Sequence, residues 1–261
     1  SDGHSALLIE GARRIGKSTI VEEFAKNEYS SYVMVDFRLA TDELRKVFLD
    51  TRTDLDSFFL YLSATYGASL VRRDTLIVFD EVQLFPQARE FIKHLVADGR
   101  YDYLETGSLV SLKTNVKDIL LPSEEESLRM SPMDFEEFLW AMGEEPLAQA
   151  IRAGYAARRP LPETLHRKAM RLWGEYTLVG GMPQAVAAYA QGRDMAAADR
   201  VKRNVLGLYR NDIEKYGGTD AKRIKAVFDA VPGMLARHEK KLVYTEVEEG
   251  SRSRDFMMAF A

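Results

Sequence analysis

Residues Gly11 to Thr19 read GARRIGKST, with Gly11, Gly16, Lys17 and Ser18 spaced as G-x-x-x-x-G-K-[ST]. The chemistry of that spacing is the grip of a polyphosphate. Glycines let the backbone curl until successive N–H groups face one point. A helix that starts at the loop's end aims its positive N-terminus at the same point. Lys17 then reaches the β- and γ-phosphates, and the Ser18 hydroxyl takes a magnesium position. The whole stretch, Gly11, Ala12, Arg13, Arg14, Ile15, Gly16, Lys17, Ser18 and Thr19, is the expected nucleotide-binding loop.

A second group, LIVFDEVQ from Leu76 to Gln83, has four apolar residues running into two adjacent carboxylates. A strand buried on both faces can offer a carboxylate only at its C-terminal end, which in open α/β sheets faces the ligand crevice. Asp80 is expected to hold magnesium through water. Glu81, one residue on, is placed to polarise an attacking water as general base. The same acids are also compatible with a plain strand end or a cap on the next helix. A third group is ETGS, Glu105 to Ser108. If its strand lies between the first and third, Thr106 or Ser108 can hydrogen-bond the attacking water or the γ-phosphate. The alternative is a strand-ending turn pivoting on Gly107.

The elements that must position these residues follow from the pattern. Short apolar runs at Ala6 to Ile9, Tyr32 to Phe37, Thr75 to Phe79 and Tyr101 to Glu105 read as buried strands. Helical spacing appears at Ser18 to Lys26, Leu44 to Phe48, Leu55 to Tyr66 and Pro86 to Val96. The alternation predicts an α/β fold, a parallel sheet with helices on both faces. Lys113 to Glu126 reads as a loop and Ser127 to Met130 as a fifth strand. Beyond Asp134 nearly everything reads as helix: Phe135 to Met142, Leu147 to Tyr155, Leu161 to Leu178, Gln184 to Tyr189 and Met195 to Tyr216. In MSPMDFEEFLWAMG the apolar residues Met133, Phe135, Phe138, Leu139 and Met142 have the spacing of a packed helix face. Boundaries are expected near Gly143 and Gly217-Gly218. This gives a nucleotide-binding core over 1–143, an all-α region over 144–218 and a further domain over 219–261.

Composition excludes several classes. The chain of 261 residues has no cysteine, so it has neither disulfides nor thiolate metal sites, which fits a reducing cytoplasm. Its four histidines show no ligand spacing, and no apolar run approaches the roughly 20 residues that span a bilayer. A net charge of -4 hides an asymmetry: Arg193 to Lys241 carries 12 Lys/Arg against 7 Asp/Glu. That basic stretch is either a DNA-binding face or simply solvated helix surface. The opening SDGH reads as a trimmed or added terminus.

Together these groups resemble the AAA+ ATPase superfamily. More narrowly, the chain resembles a prokaryotic family of predicted AAA+ ATPases, sometimes called archaeal-type ATPases. The resemblance rests on Gly11 to Thr19, FDEVQ at Phe79 to Gln83, TGS at Thr106 to Ser108, MSPMDFEEFLWA at Met130 to Ala141 and GGMPQAV at Gly180 to Val186. It implies a P-loop core, a helical lid and a winged helix, often followed by a nuclease-like domain of unknown function. Ala221 to Val231 would be the first winged-helix segment and Arg252 to Phe260 would begin its recognition helix, so the chain would end inside that domain. The resemblance also puts Pro183, in Gly181-Met182-Pro183, against the adenine. The residues themselves are equally compatible with a break between two helices. Two departures stand out. The Gly-Arg pair that members often carry before the fifth strand is replaced by SEEESLRM, with Arg129 the nearest arginine, and the fourth strand ends in Thr106, Gly107 and Ser108 rather than arginine.

The expected function is therefore hydrolysis of ATP with Mg2+, coupled to rearrangement of the lid and winged helix. ATP and ADP are the ligands, DNA is a possible partner of the basic helical region, and a homo-oligomer is possible, with no membrane association. The alternative is a slow nucleotide-dependent switch read by a protein or DNA partner. A small-molecule kinase is a third reading. Against it, no second-substrate signature is visible, and adjacent Asp80 and Glu81 suit activation of water better than of a substrate hydroxyl.

Overall fold

The computed structural model describes residues 5–108, 124–237 and 244–247, together with Arg252 and Phe256. Five parallel strands form its sheet: β1 (Ala6–Gly11), β2 (Ser31–Asp36), β3 (Thr75–Asp80), β4 (Asp102–Ser108) and β5 (Glu125–Met130). Their order is β2-β3-β4-β1-β5. All six residues of β3 are buried, as the unbroken apolar run requires of a strand covered on both faces.

Side-chain alternation divides the core between two faces. Ile9, Leu76, Val78 and Leu104 meet Val21 and Ala25 of α1 (Lys17–Glu28). On the other face Leu8, Val33, Val35, Ile77 and Phe79 meet α2 (Asp42–Asp50), α3 (Leu55–Tyr66) and α4 (Gln87–Asp98). That second layer is built on aromatic rings. Phe48 makes edge-on contacts with Phe37, Phe58, Phe79, Phe85 and Phe91 at centroid distances of 5.0–5.9 Å. Each such ring contributes about 1.5–3 kcal/mol by burial, so this cluster anchors the sheet from behind.

Local signals set the helix ends. Thr41 caps α2 by accepting from the Leu44 N–H, and Asp54 caps α3 by accepting from the Ser57 N–H. Gly67 and Gly99 end α3 and α4 in left-handed conformation, where a side chain would strain. Pro86 occupies the position before α4, where its missing N–H costs nothing.

Two differences from the sequence reading concern strand limits. The fourth strand runs through Ser108, so Thr106, Gly107 and Ser108 are strand residues and not a turn. Gly107 pairs with Glu10, and the parallel ladder carries this segment past the point where apolar residues stop. The fifth strand begins at Glu125, inside the stretch expected to be a loop, and its exposed, charged outer positions fit an edge strand. The rest of that stretch lies outside the described residues, except Glu124.

After the sheet, α5 (Phe135–Ala141), α6 (Glu145–Ala157), α7 (Glu163–Val179) and α8 (Pro183–Gly192) follow. A reciprocal capping box of Asp134 and Glu137 starts α5. Leu139 packs with Leu147, Ala148, Ala169 and Leu172, and Phe138 is fully buried between Tyr176 and Tyr189. The chain divides into two compact units, residues 1–195 and 196–261. Most of α9 (Met195–Tyr216) and all of α10 (Ala221–Leu235) belong to the second. There Arg210 pairs with Asp229 and Lys225 with Glu214, joining the two helices. The expected helix at Arg252 to Phe260 lies outside the described residues apart from Arg252 and Phe256. Among the described residues no helix is long and apolar enough to cross a membrane.

Candidate functional site

The loop from Gly11 to Gly16 is shaped by what cannot fit in it. A Cβ on Gly11 would come within 2.5 Å of both Ile15 Cδ1 and the Met130 carbonyl oxygen. Any side chain there would have to push back both the end of β5 and Ile15, which is completely buried. Arg14 at φ 68° and Gly16 at φ 93° adopt left-handed conformations. For Arg14 this is a strained choice, held by the loop around it. Gly16 is the residue that precedes α1, which has no side-chain cap. With no side chain at Gly16 to accept them, the first N–H groups of α1 suit an anion at the helix's positive end. Ala12, Arg13 and Ser18 are partly exposed and Thr19 is exposed.

Lys17 is folded back over this loop. Its Nζ donates to the carbonyls of Gly11 at 3.1 Å and Ala12 at 3.0 Å, and the residue is only 5% exposed. Burial lowers its pKa, while the negative charges of Glu81 and Asp80 oppose the change. A partly desolvated ammonium held by two neutral carbonyls is ready to exchange them for an anion.

Asp80 closes β3 and is fully buried. The Ser18 hydroxyl donates to its Oδ1 at 2.7 Å, and the Thr106 hydroxyl donates to the same oxygen. Thr106 also accepts from the Glu81 N–H at 3.2 Å. Its hydroxyl is thus committed in both directions, and the side chain is buried. Of the two residues expected to reach a water or the γ-phosphate, Thr106 sits beneath the acids, while Ser108 is the partly exposed one, paired in register with Gly11. The order β3-β4-β1 brings this about, because β4 lies between the strand carrying the acids and the strand feeding the loop.

Glu81 has φ 60°, again left-handed, and its carboxylate accepts from Gln83 Nε2. Pro183, far along the chain, arrives at the same loop. Its Cγ lies 3.7 Å from the position a Cβ on Gly16 would take, and Met130 Cε lies 3.9 Å from that point. The approach is fixed by backbone contact: the Met133 N–H donates to the Gly181 carbonyl at 2.8 Å, and a Cβ on Gly181 would strike the Met133 carbonyl. Tyr176 donates its hydroxyl to that Met133 carbonyl at 2.9 Å.

Two participants were not singled out from the sequence. Gln83, though part of the FDEVQ motif, gave no sign of engaging Glu81. Arg38 follows β2, and its guanidinium reaches Asp80 Oδ2 at 3.3 Å while gripping Asp36 through both oxygens at 2.7–3.1 Å. Burial pushes the Asp36 carboxyl up, but the side-chain and backbone bonds from Arg38 outweigh it and hold the pKa below its ordinary value. The only sequence trace of this contact is the register Asp36↔Asp80, which needs the strand order to be known.

A family model described as an AAA domain matches residues 3–139, and a second, described as a domain of unknown function (DUF8612), matches residues 170–260. No curated protein matches the chain. Among solved structures, C. elegans PCH-2 is similar at 12% identity and a TM-score of 0.38, over 76% of this chain and 61% of that one. AMPPCP-bound DnaA from Aquifex aeolicus is similar at 10% identity and a TM-score of 0.34, over 98% and 80%. The Thermotoga maritima RuvB Holliday junction branch migration motor has 10% identity and a TM-score of 0.31, over 67% of each chain. The chain thus spans 61% of the length of the PCH-2 chain. The AAA-domain match takes in the loop, both acids and all five strands, more than half of the 261 residues, and on it the chain belongs to the AAA domain family of P-loop NTPases.

Proposed function

We propose that the protein binds ATP with magnesium at this site and hydrolyses it. The observation that carries the reading is the 2.7 Å contact of Ser18 Oγ with Asp80 Oδ1 directly beside the folded-back Lys17. A hydroxyl and a carboxylate, both oxygen donors, fit a magnesium ion, which keeps waters and takes one or two protein oxygens beside substrate phosphates. Ser18 and Asp80 would hold it, and when bound it would neutralise charge on the phosphates.

Lys17 leaves the Gly11 and Ala12 carbonyls for the β- and γ-phosphates. The N–H groups of the loop and of the first turn of α1 take the remaining phosphate oxygens. Glu81 orients water and draws its proton. Thr106 is a positioning residue, fixing the Asp80 carboxylate and the Glu81 backbone together, and Ser108 faces the terminal phosphate. Pro183 packs against the base, so nucleotide would bind between the core and the helical region that carries Pro183. The region 144–218 serves as lid and 219–261 as the start of a winged helix. Turnover drives their rearrangement, and the basic stretch from Arg193 onward contacts DNA. Duplex binding that weakens steeply with salt is the measure of that last contact.

One observation favours a slower, switch-like variant of this function. Glu81 is engaged by Gln83 and Asp80 by Arg38, so each acid has a protein partner to give up before it can act. Comparison of a single turnover with the steady state separates the two variants. In either case Glu81→Gln is expected to keep nucleotide and magnesium binding within about threefold and to lower turnover at least ~100-fold, the usual scale of general-base loss. Loss of binding as the main effect would move Glu81 out of the role of base.

A further inference from the structure

The contact between Arg38 and Asp80 has no part in gripping phosphate, yet it occupies the carboxylate on which the metal depends. Asp80 is completely buried, whereas the Arg38 side chain is 54% exposed. The two oxygens of Asp80 are unequally used. Oδ1 receives both hydroxyls, Ser18 and Thr106, and Oδ2 receives Arg38 Nη2 at 3.3 Å. Arg38 is far better bound to Asp36, with Nε at 2.9 Å and Nη2 at 2.7 Å, and the Arg38 backbone N–H adds a third contact to the same carboxylate at 2.9 Å. The guanidinium is therefore anchored on one acid and only rests on the other.

That asymmetry has a consequence in charge. A buried carboxylate needs counter-charge, and with Lys17 nearby Arg38 supplies the cation that pairs with it directly. A divalent cation beside Ser18 supplies more charge at shorter range, and two cations crowded on one carboxylate repel. Arg38 can give up its single bond to Asp80 without leaving Asp36, and its exposure leaves room to turn.

We propose that Arg38 is a charge latch competing with magnesium for Asp80, so that the metal-free site is neutralised by the protein's own cation and metal binding displaces it. The inference rests on the nucleotide-site reading above. With the latch in place, the site discriminates less between metal-free and metal-bound nucleotide than the Ser18–Asp80 pair alone would. Removing it makes the site depend more steeply on magnesium.

The test uses a fluorescent ATP analogue titrated against the whole chain, with magnesium chloride in one series and chelator in the other. The readout is the ratio of the two affinities, which needs no turnover. Arg38→Gln is expected to raise that ratio about tenfold over the wild type. Arg38→Lys keeps a charge but loses the forked grip on Asp36, and its ratio is expected between the two. Arg38→Met, which keeps the aliphatic stem, replaces the glutamine variant should that one fail to fold. An unchanged ratio in a folded, nucleotide-binding variant overturns the latch and leaves the nucleotide site standing. A lowered ratio also overturns it, since Arg38 would then be helping to hold the metal-loaded nucleotide. Absence of binding by the wild type in both series removes the nucleotide site and the latch with it.

Discussion

Glu105 shows how much of this site is set by residues that never meet a ligand. It is completely buried in β4, one position before Thr106, and neither carboxyl oxygen has a hydrogen-bond partner of good geometry. Burial first, and then the neighbouring carboxylate of Glu125, push its pKa well above the ordinary value, while Arg89 opposes the change. Arg89 itself is committed to Glu125 at 2.6 Å in a pair that is almost wholly buried. Glu105 therefore holds its proton to higher pH in the folded chain than in the unfolded one. The folded state binds more protons there, so its stability falls as pH rises. Glu105→Gln removes that penalty. Its stability, followed by thermal melting, is expected to match the wild type near pH 5 and to exceed it increasingly toward pH 8, by on the order of 1 kcal/mol. Parallel melting curves across that range would show that Glu105 is not held protonated. Nothing in ETGS announced this behaviour, because a glutamate in a strand looks the same whether its neighbour across the sheet is water or another acid. By contrast, the meeting of Lys17, Ser18 and Asp80 at one edge could be expected from the sequence, because a G-x-x-x-x-G-K-[ST] loop after one buried strand and a carboxylate ending another must face the same side of a parallel sheet.

At the scale of elements, the strands were legible wherever burial on both faces forces an apolar run, as in TLIVF. They were misjudged at their polar ends. Thr106 and Ser108 continue a strand because β1 offers a ladder to pair with, a tertiary fact invisible in local pattern. A place for Pro183 against the adenine was expected only from family resemblance, and what the structure shows is Pro183 beside Gly16 of the loop. The physical cause is the close seating of Gly181 on the Met133 backbone, which only a residue without Cβ permits. Pro183 at the first turn of α8 can then come up beside Gly16. Pro183→Ala is expected to weaken ATP binding about tenfold, or about 1.4 kcal/mol. It should change the nucleotide-free stability by less than ~1 kcal/mol, the scale of proline's backbone effect. Equal losses with and without ATP would reduce Pro183 to a helix-starting residue.

At the scale of the whole molecule, the alternation of strands and helices was enough to foresee the parallel sheet, because it leaves few connected arrangements. The strand order was not foreseeable from any single segment, and with it went the contacts of Arg38 and Thr106. The same order explains why one loop, two acids and two hydroxyl residues, spread over about a hundred positions, share one edge. This edge is proposed to bind nucleotide through Lys17. Nucleotide that binds only the folded chain stabilises it by mass action, by about 2.7 kcal/mol at a hundredfold excess over its dissociation constant. The most direct measurement is therefore the melting temperature of the wild type and of Lys17→Ala with increasing ATP and magnesium. A rise with concentration is expected for the wild type and little or none for Lys17→Ala, the two chains unfolding at similar temperatures without ligand. An equal rise in both, or none in the wild type, would contradict nucleotide binding through Lys17.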